Sequence, residues 1–450
     1  STSTMASADG RPLAKLCTIV GIIVFFSALG PSQRGSNKLA NDLDNDDAWG
    51  GPPSPKRRTF GGDKRYSNVQ RHYDRHALRS ARLSKDEAFE QRRNGVAFPL
   101  KRFHNLVKKK LLEEVARRFR ESSNLFADGE SNPPLTLLDV GCGRACDLFK
   151  WHSSNVDYAL GIDASEVIIE EANRRLGEQD QQQHQQQSGA NRHRKYSSSN
   201  FKTCAEFQFF EHFDREKFVF RNLTGLNNKN KRFHNIVKRN GFALATCMFS
   251  LHYFFRDEAA ATQALGNIAD SLQDGGYAVM LFPDGHRVQE LLGTKCSSSN
   301  TNTTRANFGK YSNGVLSLRR HWNGSVQPFG SGYEFELVDT VTQSTQNLDK
   351  PANDTTAASD QKSVNIEYLV SCANLKSMAQ RAGLRMVDDL RSSYQLRRLF
   401  EDNMNKKEAG FYHFNPPYRQ TDPALAQASS LFVAVVFIKD SIAAIPTTIA

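Results

Sequence analysis

The chain has 450 residues, of which 39% are hydrophobic and 10% aromatic. This is enough apolar material for a sizeable core, and it excludes a wholly disordered or collagen-like protein. A net charge of +11 favours a polyanionic partner, either nucleic acid or a membrane surface. The 7 cysteines include no CxxC pair, so we predict no disulfide framework and no metal site.

The N-terminal segment, residues 1–30, contains an apolar run at residues 16–29 that follows Arg11 and Lys15. This is the layout of a secretory signal peptide, and the run is shorter than the about 20 residues that span a membrane. A wrongly assigned first exon explains the run equally well. Residues 31–64 are rich in Pro, Gly, Asn and Asp and are predicted to be a disordered linker.

Strands and helices alternate along residues 65–450, the predicted folded domain. We predict buried strands at residues 135–140, 158–162, 242–249, 277–282 and 431–439, and helices at 166–176 and 258–272. This repeated order predicts an α/β fold, a Rossmann-like doubly wound and mostly parallel sheet with helices on both faces. Polar tracts near 179–199, 296–314 and 340–363 are predicted to be surface insertions.

A glycine-rich turn, residues 141–143, follows the first strand, and Asp163 ends the next strand. Roughly 20 residues separate such a turn from an acid that accepts from an adenosine ribose. Cys146 replaces the third glycine of the dinucleotide pattern, and Asp139 and Asp147 flank the loop. Carboxylates suit a cationic group better than a pyrophosphate. The loop therefore favours S-adenosylmethionine over a dinucleotide, with an ordinary capped turn as the alternative.

Further patterns between residues 69 and 439 resemble those of the mRNA cap guanine-N7 methyltransferases. In order they are VQRHYD from Val69, LKRFHNLVK from Leu100, LLDVGCGRACDLFKW from Leu137, TCMFSLHYFF from Thr246, LQDGGYAVMLFPD from Leu272, GYEFEL from Gly332 and EYLV from Glu367. The glycine motif is widespread, whereas the FNN-like, HY and EYLV elements in this order are specific. The resemblance implies a class I methyltransferase with a seven-stranded sheet that ends in an antiparallel strand pair.

The same resemblance implies two sets of site residues. S-adenosylmethionine would be bound by Lys108, Gly141, Asp163, Glu211 and Tyr253, and the cap guanine by Asn105, His252, Tyr253, Glu367 and Phe432. Glu367, expected at the start of a helix, would accept from guanine N1–H and the exocyclic amine, and Tyr333 and Phe335 would offer stacking faces. Guanine N7 carries no proton, so we expect catalysis by positioning, without a general acid or base.

The sequence departs from the family pattern in several places. The differing residues are His104, Arg144, Ala145, Cys146, Ala243, Met248 and Phe432, the last standing where the family has a tyrosine. Ala145 and Cys146 place side chains where the family has glycines, at a point where the backbone lies close to the ligand. These departures therefore bear mainly on cofactor affinity.

Taken together, the sequence predicts methyl transfer from S-adenosylmethionine to N7 of the guanine cap of RNA. The expected partner is 5′-capped RNA, with a protein of the capping machinery left open, and the expected location is the nucleus. The apolar run at residues 16–29 speaks against that location. Two alternatives remain, a class I methyltransferase with another acceptor and a weakly active homologue that binds capped RNA.

Overall fold

The computed structural model describes residues 64–81, 83, 85–124, 133–188, 203–293, 309–343, 365–402 and 409–440. All of these residues belong to one unit, Gly61–Ala450. The apolar run and nearly all of the predicted linker lie outside the described residues, as do large parts of the three polar tracts. No helix in the described part of the chain is long and apolar enough to cross a membrane.

Eleven α-helices are present among the described residues. They are α1 Lys64–Ala81, α2 Lys85–Asn94, α3 Phe98–Asn124, α4 Leu148–Ser153, α5 Glu166–Ser188, α6 Lys231–Asn240, α7 Glu258–Ser271, α8 Gly285–Gly293, α9 Cys372–Arg381, α10 Tyr394–Arg397 and α11 Pro423–Ser430. α3 buries Phe103, Val107 and Leu111. Their spacing of one helical turn places them on the stripe that packs against the core.

The strands of the described residues form two sheets. They are β1 Thr136–Val140, β2 Tyr158–Asp163, β3 Cys204–Phe209, β4 Phe242–Met248, β5 Leu272–Pro283, β6 Lys310–Ser312, β7 Leu316–Arg320, β8 Gly332–Leu337, β9 Ile366–Tyr368, β10 Leu384–Met386, β11 Phe411–His413 and β12 Phe432–Lys439. The main sheet has the order β10-β12-β5-β4-β1-β2-β3, with β11 also paired to β12.

The main sheet confirms the predicted fold class. β1 to β5 are parallel to one another, and β12 is antiparallel to β5, β10 and β11. The strand order reverses between β1 and β4, which is where doubly wound sheets bind ligands beyond the carboxyl ends of their strands. Successive residues of β1 face opposite ways, so Leu137 packs in one core layer and Leu138 in the other.

Three features of the strands and helices differ from the prediction. The main sheet has eight strands rather than seven. β5 begins at Leu272, before the predicted start at residue 277. Its pairing with β4 shifts in register between Phe242 and Leu244, and this bulge accommodates the segment with Gly275 and Gly276. Such a bulge lets a glycine pair lie inside a strand instead of forming a turn. Polar tract residues 179–188 continue α5 and residues 310–312 form β6.

The second sheet, an antiparallel one, was not predicted from the sequence. Its order is β6-β7-β8-β9, and Tyr333 of β8 pairs with Glu367 of β9. The prediction that Glu367 begins a helix is therefore wrong. Ser371 caps α9, which begins only at Cys372, and the preceding residues are extended because β8 supplies a pairing partner.

Candidate functional site

The glycine-rich turn after β1 is a tight backbone loop. Gly141 and Gly143 have positive φ angles of 71° and 56°, which favour glycine. A Cβ on Gly141 would lie 2.6 Å from the Cβ of Ser250, whereas one on Gly143 would meet nothing within 4 Å. Packing against Ser250 thus requires glycine at position 141, and the open side of Gly143 leaves room for a ligand.

A cavity of about 170 Å³, here named the loop cavity, lies beside this turn. Its walls include four predicted cofactor residues, Gly141, Asp163, Glu211 and Tyr253. Helix α1 closes one side with Val69, Gln70 and Tyr73. Sites for small molecules and cofactors usually measure about 300–1,000 Å³. A ligand the size of a nucleoside therefore requires the loop cavity to open.

Asp163 is held at the end of β2 by backbone groups. The N–H of Gly143 donates to its Oδ2 (3.0 Å) and the N–H of Ser165 to its Oδ1 (3.1 Å). Burial raises the pKa of Asp163 to about 6, against the effect of these hydrogen bonds. A carboxylate has about four lone-pair sites, so Asp163 can still accept from a ligand.

Lys108 contacts the loop through Asp147 rather than through the cavity wall. Its Nζ donates to Asp147 Oδ2 (2.8 Å), and Lys150 Nζ donates to Oδ1 of the same carboxylate (2.5 Å). Burial disfavours the charge of Asp147, but the two lysines outweigh burial and lower its pKa to about 2. Burial, followed by the charge of Asp147, raises the pKa of Asp139 to about 7. The two loop carboxylates therefore differ in pKa, and the negative charge of Asp147 is balanced by Lys108 and Lys150.

Two side-chain-bearing residues near the loop cavity adopt left-handed backbone conformations. Ala145 has φ 57° and Phe249 has φ 67°, each costing about 1–2 kcal/mol for an L-residue. Phe249 lines the loop cavity, and the Nζ of Lys108 lies 5.0 Å from the centroid of its ring. Strain of this kind collects at functional sites.

A second group of side chains, here named the carboxylate cluster, adjoins the loop cavity. Tyr333 O–H donates to Glu367 Oε2 (3.0 Å), and Asn365 Nδ2 donates to Glu367 Oε1 (3.1 Å). Tyr253 O–H donates to Asn365 Oδ1 (2.9 Å). Since Tyr253 also lines the loop cavity, the two sites meet at this side chain.

His252 completes the carboxylate cluster without a hydrogen bond of its own among the described residues. Both ring nitrogens are buried without a partner, and Nε2 lies 3.5 Å from Glu367 Oε1, too long for a good hydrogen bond. Burial lowers the pKa of His252 to about 3 and raises that of Glu367 to about 8. Unpaired buried polar atoms cost about 1–3 kcal/mol, which points to a ligand that supplies the missing partners.

Two residues of this site escaped the sequence analysis. Tyr73 lies in α1, and its hydroxyl is 2.6 Å from that of Tyr253. Its segment was noted as a family-like pattern, but no property of the sequence assigned Tyr73 a role. Asn365 lies two residues after the polar tract, and no sequence pattern there predicts a functional residue. Gln70 Nε2 also donates to Ala164 O (2.9 Å), so α1 is tied to the end of β2.

The remaining predicted residues lie apart from the carboxylate cluster or are buried. Asn105 is exposed on α3, and no hydrogen bond in the described part of the chain joins it to Glu367 or His252. Phe432 is buried among His104, Phe249 and other rings. Tyr333 and Phe335 are also buried, so neither presents the expected stacking face to solvent.

His104, which stands where the family has an asparagine, is part of the packed core. Its Nε2 lies 2.9 Å from Ser429 Oγ, and its ring stacks on Phe249 at a centroid distance of 5.4 Å. Burial, followed by the charge of Lys108, lowers the pKa of His104 to about 3. The side chain is therefore a neutral packing partner of Phe249. Within the described residues no group of His, Cys, Asp and Glu is arranged to hold a metal ion.

The chain is similar in sequence to known proteins. The profile of the mRNA (guanine-N(7))-methyltransferase domain matches residues 62–346. The chain belongs to this family. It is 27% identical over 285 residues to mRNA cap guanine-N(7) methyltransferase 1 of Oryza sativa subsp. japonica, covering 61% of this chain and 60% of that protein. It is also 27% identical over 257 residues to the mRNA cap guanine-N(7) methyltransferase of Caenorhabditis elegans, covering 56% and 55%.

The match is partial along both chains, since this chain spans only 60% and 55% of the length of these two relatives. Among solved structures, it is similar to a S-adenosylmethionine-dependent methyltransferase from Clostridium acetobutylicum, with 11% identity and a TM-score of 0.35 over 74% of this chain and 92% of that one. The family profile ends before Glu367 and Phe432. The positions of the residues in β9 to β12 are therefore known from the structure and are not covered by the profile.

Proposed function

We propose that this member of the family transfers a methyl group from S-adenosylmethionine to N7 of the guanine cap of RNA. The supporting observation is that Tyr253 belongs both to the loop cavity and to the carboxylate cluster. A methyl donor in the first and a guanine in the second would be neighbours. Holding two reactants in such a pose can contribute about 7–11 kcal/mol.

The loop cavity fits a nucleoside cofactor in its chemistry. Asp163 has lone pairs left for the two ribose hydroxyls, Gly143 has an open side, and Glu211 stands in the cavity wall. Bound S-adenosylmethionine supplies a methyl group on a sulfonium, which needs no acid or base for its transfer to N7. What the chain contributes is orientation, together with exclusion of water by α1.

The carboxylate cluster fits the edge of a guanine. Ionised Glu367 accepts from N1–H and the exocyclic amine, and neutral His252 donates one N–H to O6. Adenine presents an amine in place of O6 and has no N1–H. A site built from such hydrogen bonds rejects the wrong base strongly, because its buried groups are then left unpaired.

We also propose that the methyltransferase domain extends from residue 65 past the profile match to the end of β12. β12 lies between β5 and β10 in the main sheet, and Glu367 lies in β9. A truncation near residue 346 would remove both. We expect such a truncated chain to be insoluble, whereas a chain ending shortly after residue 440 should fold, as judged by a cooperative thermal transition.

The test of the proposed activity is methyl transfer from labelled S-adenosylmethionine to three RNAs of one sequence. These carry a GpppN cap, an ApppN cap or an uncapped 5′ end. We expect labelled N7-methylguanosine from the first RNA alone. Equal labelling of all three would show an acceptor other than the cap guanine. Measurable binding of S-adenosylmethionine without transfer to any RNA would instead indicate a methyltransferase with another acceptor. Binding of capped RNA without measurable binding of S-adenosylmethionine would indicate a weakly active cap-binding homologue.

For location we propose the nucleus, where transcripts receive their caps. Microscopy of the full-length tagged chain tests this directly. Asn323 is exposed and begins an N-x-S sequence, so it can report on the alternative. Glycan attached to Asn323 of a secreted product would exclude a nuclear site of action.

A further inference from the structure

A second and larger cavity, here named the α9 cavity, has a volume of about 830 Å³. It lies where Asp284 follows β5, where α9 begins, and beside His413 of β11. None of its lining residues belongs to the loop cavity. Its volume falls within the about 300–1,000 Å³ of small-molecule sites, and the proposed methyl transfer makes no use of it.

A buried histidine in the wall of the α9 cavity lacks a partner. His413 is 2% exposed, and its Nε2 lies 2.8 Å from Asp284 Oδ2. Its Nδ1 has no hydrogen-bond partner among the described residues. In the neutral ring, a proton on Nε2 donates to Asp284 and leaves Nδ1 as an acceptor. Because an unpaired buried acceptor is costly, this nitrogen points to a ligand that carries a hydroxyl or an amine.

Another part of the wall of the α9 cavity, the first turn of α9, has the character of an anion site. Ser371 caps α9 by accepting from the N–H of Asn374, and the first turn of this helix lines the cavity. The amino end of a helix carries partial positive charge and suits phosphate. Lys376 also lines the cavity and is exposed, and it makes no ion pair within the described residues. The charge of Asp284 is offset by its bonds to His413 and to the N–H of His286.

Residues that line the α9 cavity follow Glu367 of the carboxylate cluster closely in the sequence. Two residues after Glu367, Leu369 lines the cavity, and Val370 pairs with Asp284 in a parallel bridge. With about 3.3 Å per extended residue, Ser371 lies within about 13 Å of Glu367. A chain that continues from a guanine held at Glu367 can therefore reach this cavity.

We propose that the α9 cavity binds the RNA chain immediately after the cap. The phosphate that links the first two nucleotides after the cap, which GpppA lacks, would lie at the first turn of α9 near Lys376, and a sugar hydroxyl or base amine would donate to His413 Nδ1. A mixture of phosphate and hydroxyl contacts is what RNA presents. This inference rests on the proposed function, because it takes the cap guanine to be held by the carboxylate cluster.

The test compares two substrates that differ only beyond the cap, the dinucleotide GpppA and a capped oligoribonucleotide. Lys376→Glu should raise KM severalfold for the oligoribonucleotide while leaving kcat and KM for GpppA at the wild-type values. The slope of log KM against log salt for the oligoribonucleotide should fall by about one, as expected for one lost phosphate contact. Lys238→Glu is the matched control, since Lys238 is exposed in the last turn of α6 and lines neither the α9 cavity nor the loop cavity.

The outcomes separate the two proposals. If the wild-type protein methylates neither substrate, the proposed function fails. If it methylates both and Lys376→Glu changes neither or both equally, the α9 cavity does not bind RNA. His413→Gln, with folding checked by thermal melting, should also raise KM for the oligoribonucleotide, and an unchanged KM in the folded variant would remove His413 from the RNA site. A photoreactive nucleotide placed directly after the cap should crosslink to the first turn of α9, and crosslinks confined to other segments would overturn the assignment.

Discussion

The loop cavity and the carboxylate cluster share Tyr253, but they are built from different parts of the chain. The loop cavity depends on backbone, with Asp163 held by two N–H groups and Gly141 fixed by its packing against Ser250. The carboxylate cluster depends on side chains, with Glu367 held by Tyr333 and Asn365. A substitution in the cluster therefore removes a contact outright, whereas the loop can absorb changes such as Ala145 at the cost of strain.

The two sites also differ in the protonation of their acids. Burial places the pKa of Glu367 at about 8 and that of Asp163 at about 6. Near neutral pH, Asp163 is therefore ionised while Glu367 is largely protonated. We expect guanine binding to require loss of a proton and cofactor binding to require none.

The largest effect is expected from Glu367→Gln. The amide presents a donor to the guanine donors, and an unpaired buried group costs about 1–3 kcal/mol. Turnover on capped RNA should fall by between about fivefold and about 160-fold, which is that cost converted to a rate at about 1.36 kcal/mol per tenfold. Binding of S-adenosylmethionine, measured by calorimetry, should stay near the wild-type value.

Glu206→Gln is the matched control for this variant. Glu206 is also buried and accepts from His234 Nε2 (2.7 Å), but it lies in neither site. Its replacement should lower thermal stability and leave turnover per folded molecule unchanged. Normal turnover of Glu367→Gln would remove Glu367 from guanine recognition.

The pH dependence should distinguish the two sites in the wild-type protein. Below the pKa of about 8, a growing fraction of Glu367 is protonated and cannot accept from guanine. The affinity for a cap analogue should fall by up to about tenfold per pH unit as pH drops below 8, and level off above it. Cofactor affinity should hold until pH approaches 6, the pKa of Asp163.

Stability provides a second readout of the same pKa. Between the ordinary pKa of 4.5 and about 8, the folded state binds the Glu367 proton and the unfolded state does not. The contribution of Glu367 to the free energy of unfolding should therefore fall as pH rises through this window. Glu367→Gln should abolish both dependences, and a cap affinity that is flat from pH 6 to 9 in the wild type would contradict the assignment.

Asp163→Ala should weaken binding of S-adenosylmethionine by more than about 1 kcal/mol, or at least about fivefold, because hydrogen bonds to a charged group are worth about 1.5–3 kcal/mol. Asp157→Ala is the control, since Asp157 precedes β2 at the opposite end and accepts from the N–H of Leu135. Calorimetric titration of both variants with S-adenosylmethionine measures the two dissociation constants. Equal dissociation constants in the two folded variants would reject Asp163 as the ribose acceptor.

The smallest effect is expected from Ala145→Gly. Relief of the left-handed conformation is worth about 1–2 kcal/mol, reduced by about 0.4–1 kcal/mol for the added freedom of the unfolded chain. We expect a modest rise in the free energy of unfolding, measured by urea denaturation. Ala264→Gly, in the middle of α7 and fully buried, should instead lower it by about 1 kcal/mol. A loss of stability in Ala145→Gly would show that the loop is not strained.

The local part of this architecture was predictable from the sequence. β1, the turn at residues 141–143 and Asp163 are close in the chain, and glycines at a strand end followed by an acid have few structural interpretations. The resemblance to the family also predicted Tyr253, His252 and Glu367 as site residues, which lie near one another in the structure. The main sheet followed from the alternation of strands and helices. The family and the fold class were both confirmed by what followed.

Only the tertiary structure assembled the carboxylate cluster. β9 has three residues, too few for a pattern of alternation, so Glu367 looked like the start of a helix until its pairing with β8 was known. Tyr73, Tyr253 and Asn365 come from distant segments, and the hydrogen bonds that join them depend on how α1 and the second sheet pack beside the main sheet. Residue type and spacing encode a backbone turn directly, whereas contacts between side chains from separate elements exist only once the elements have packed.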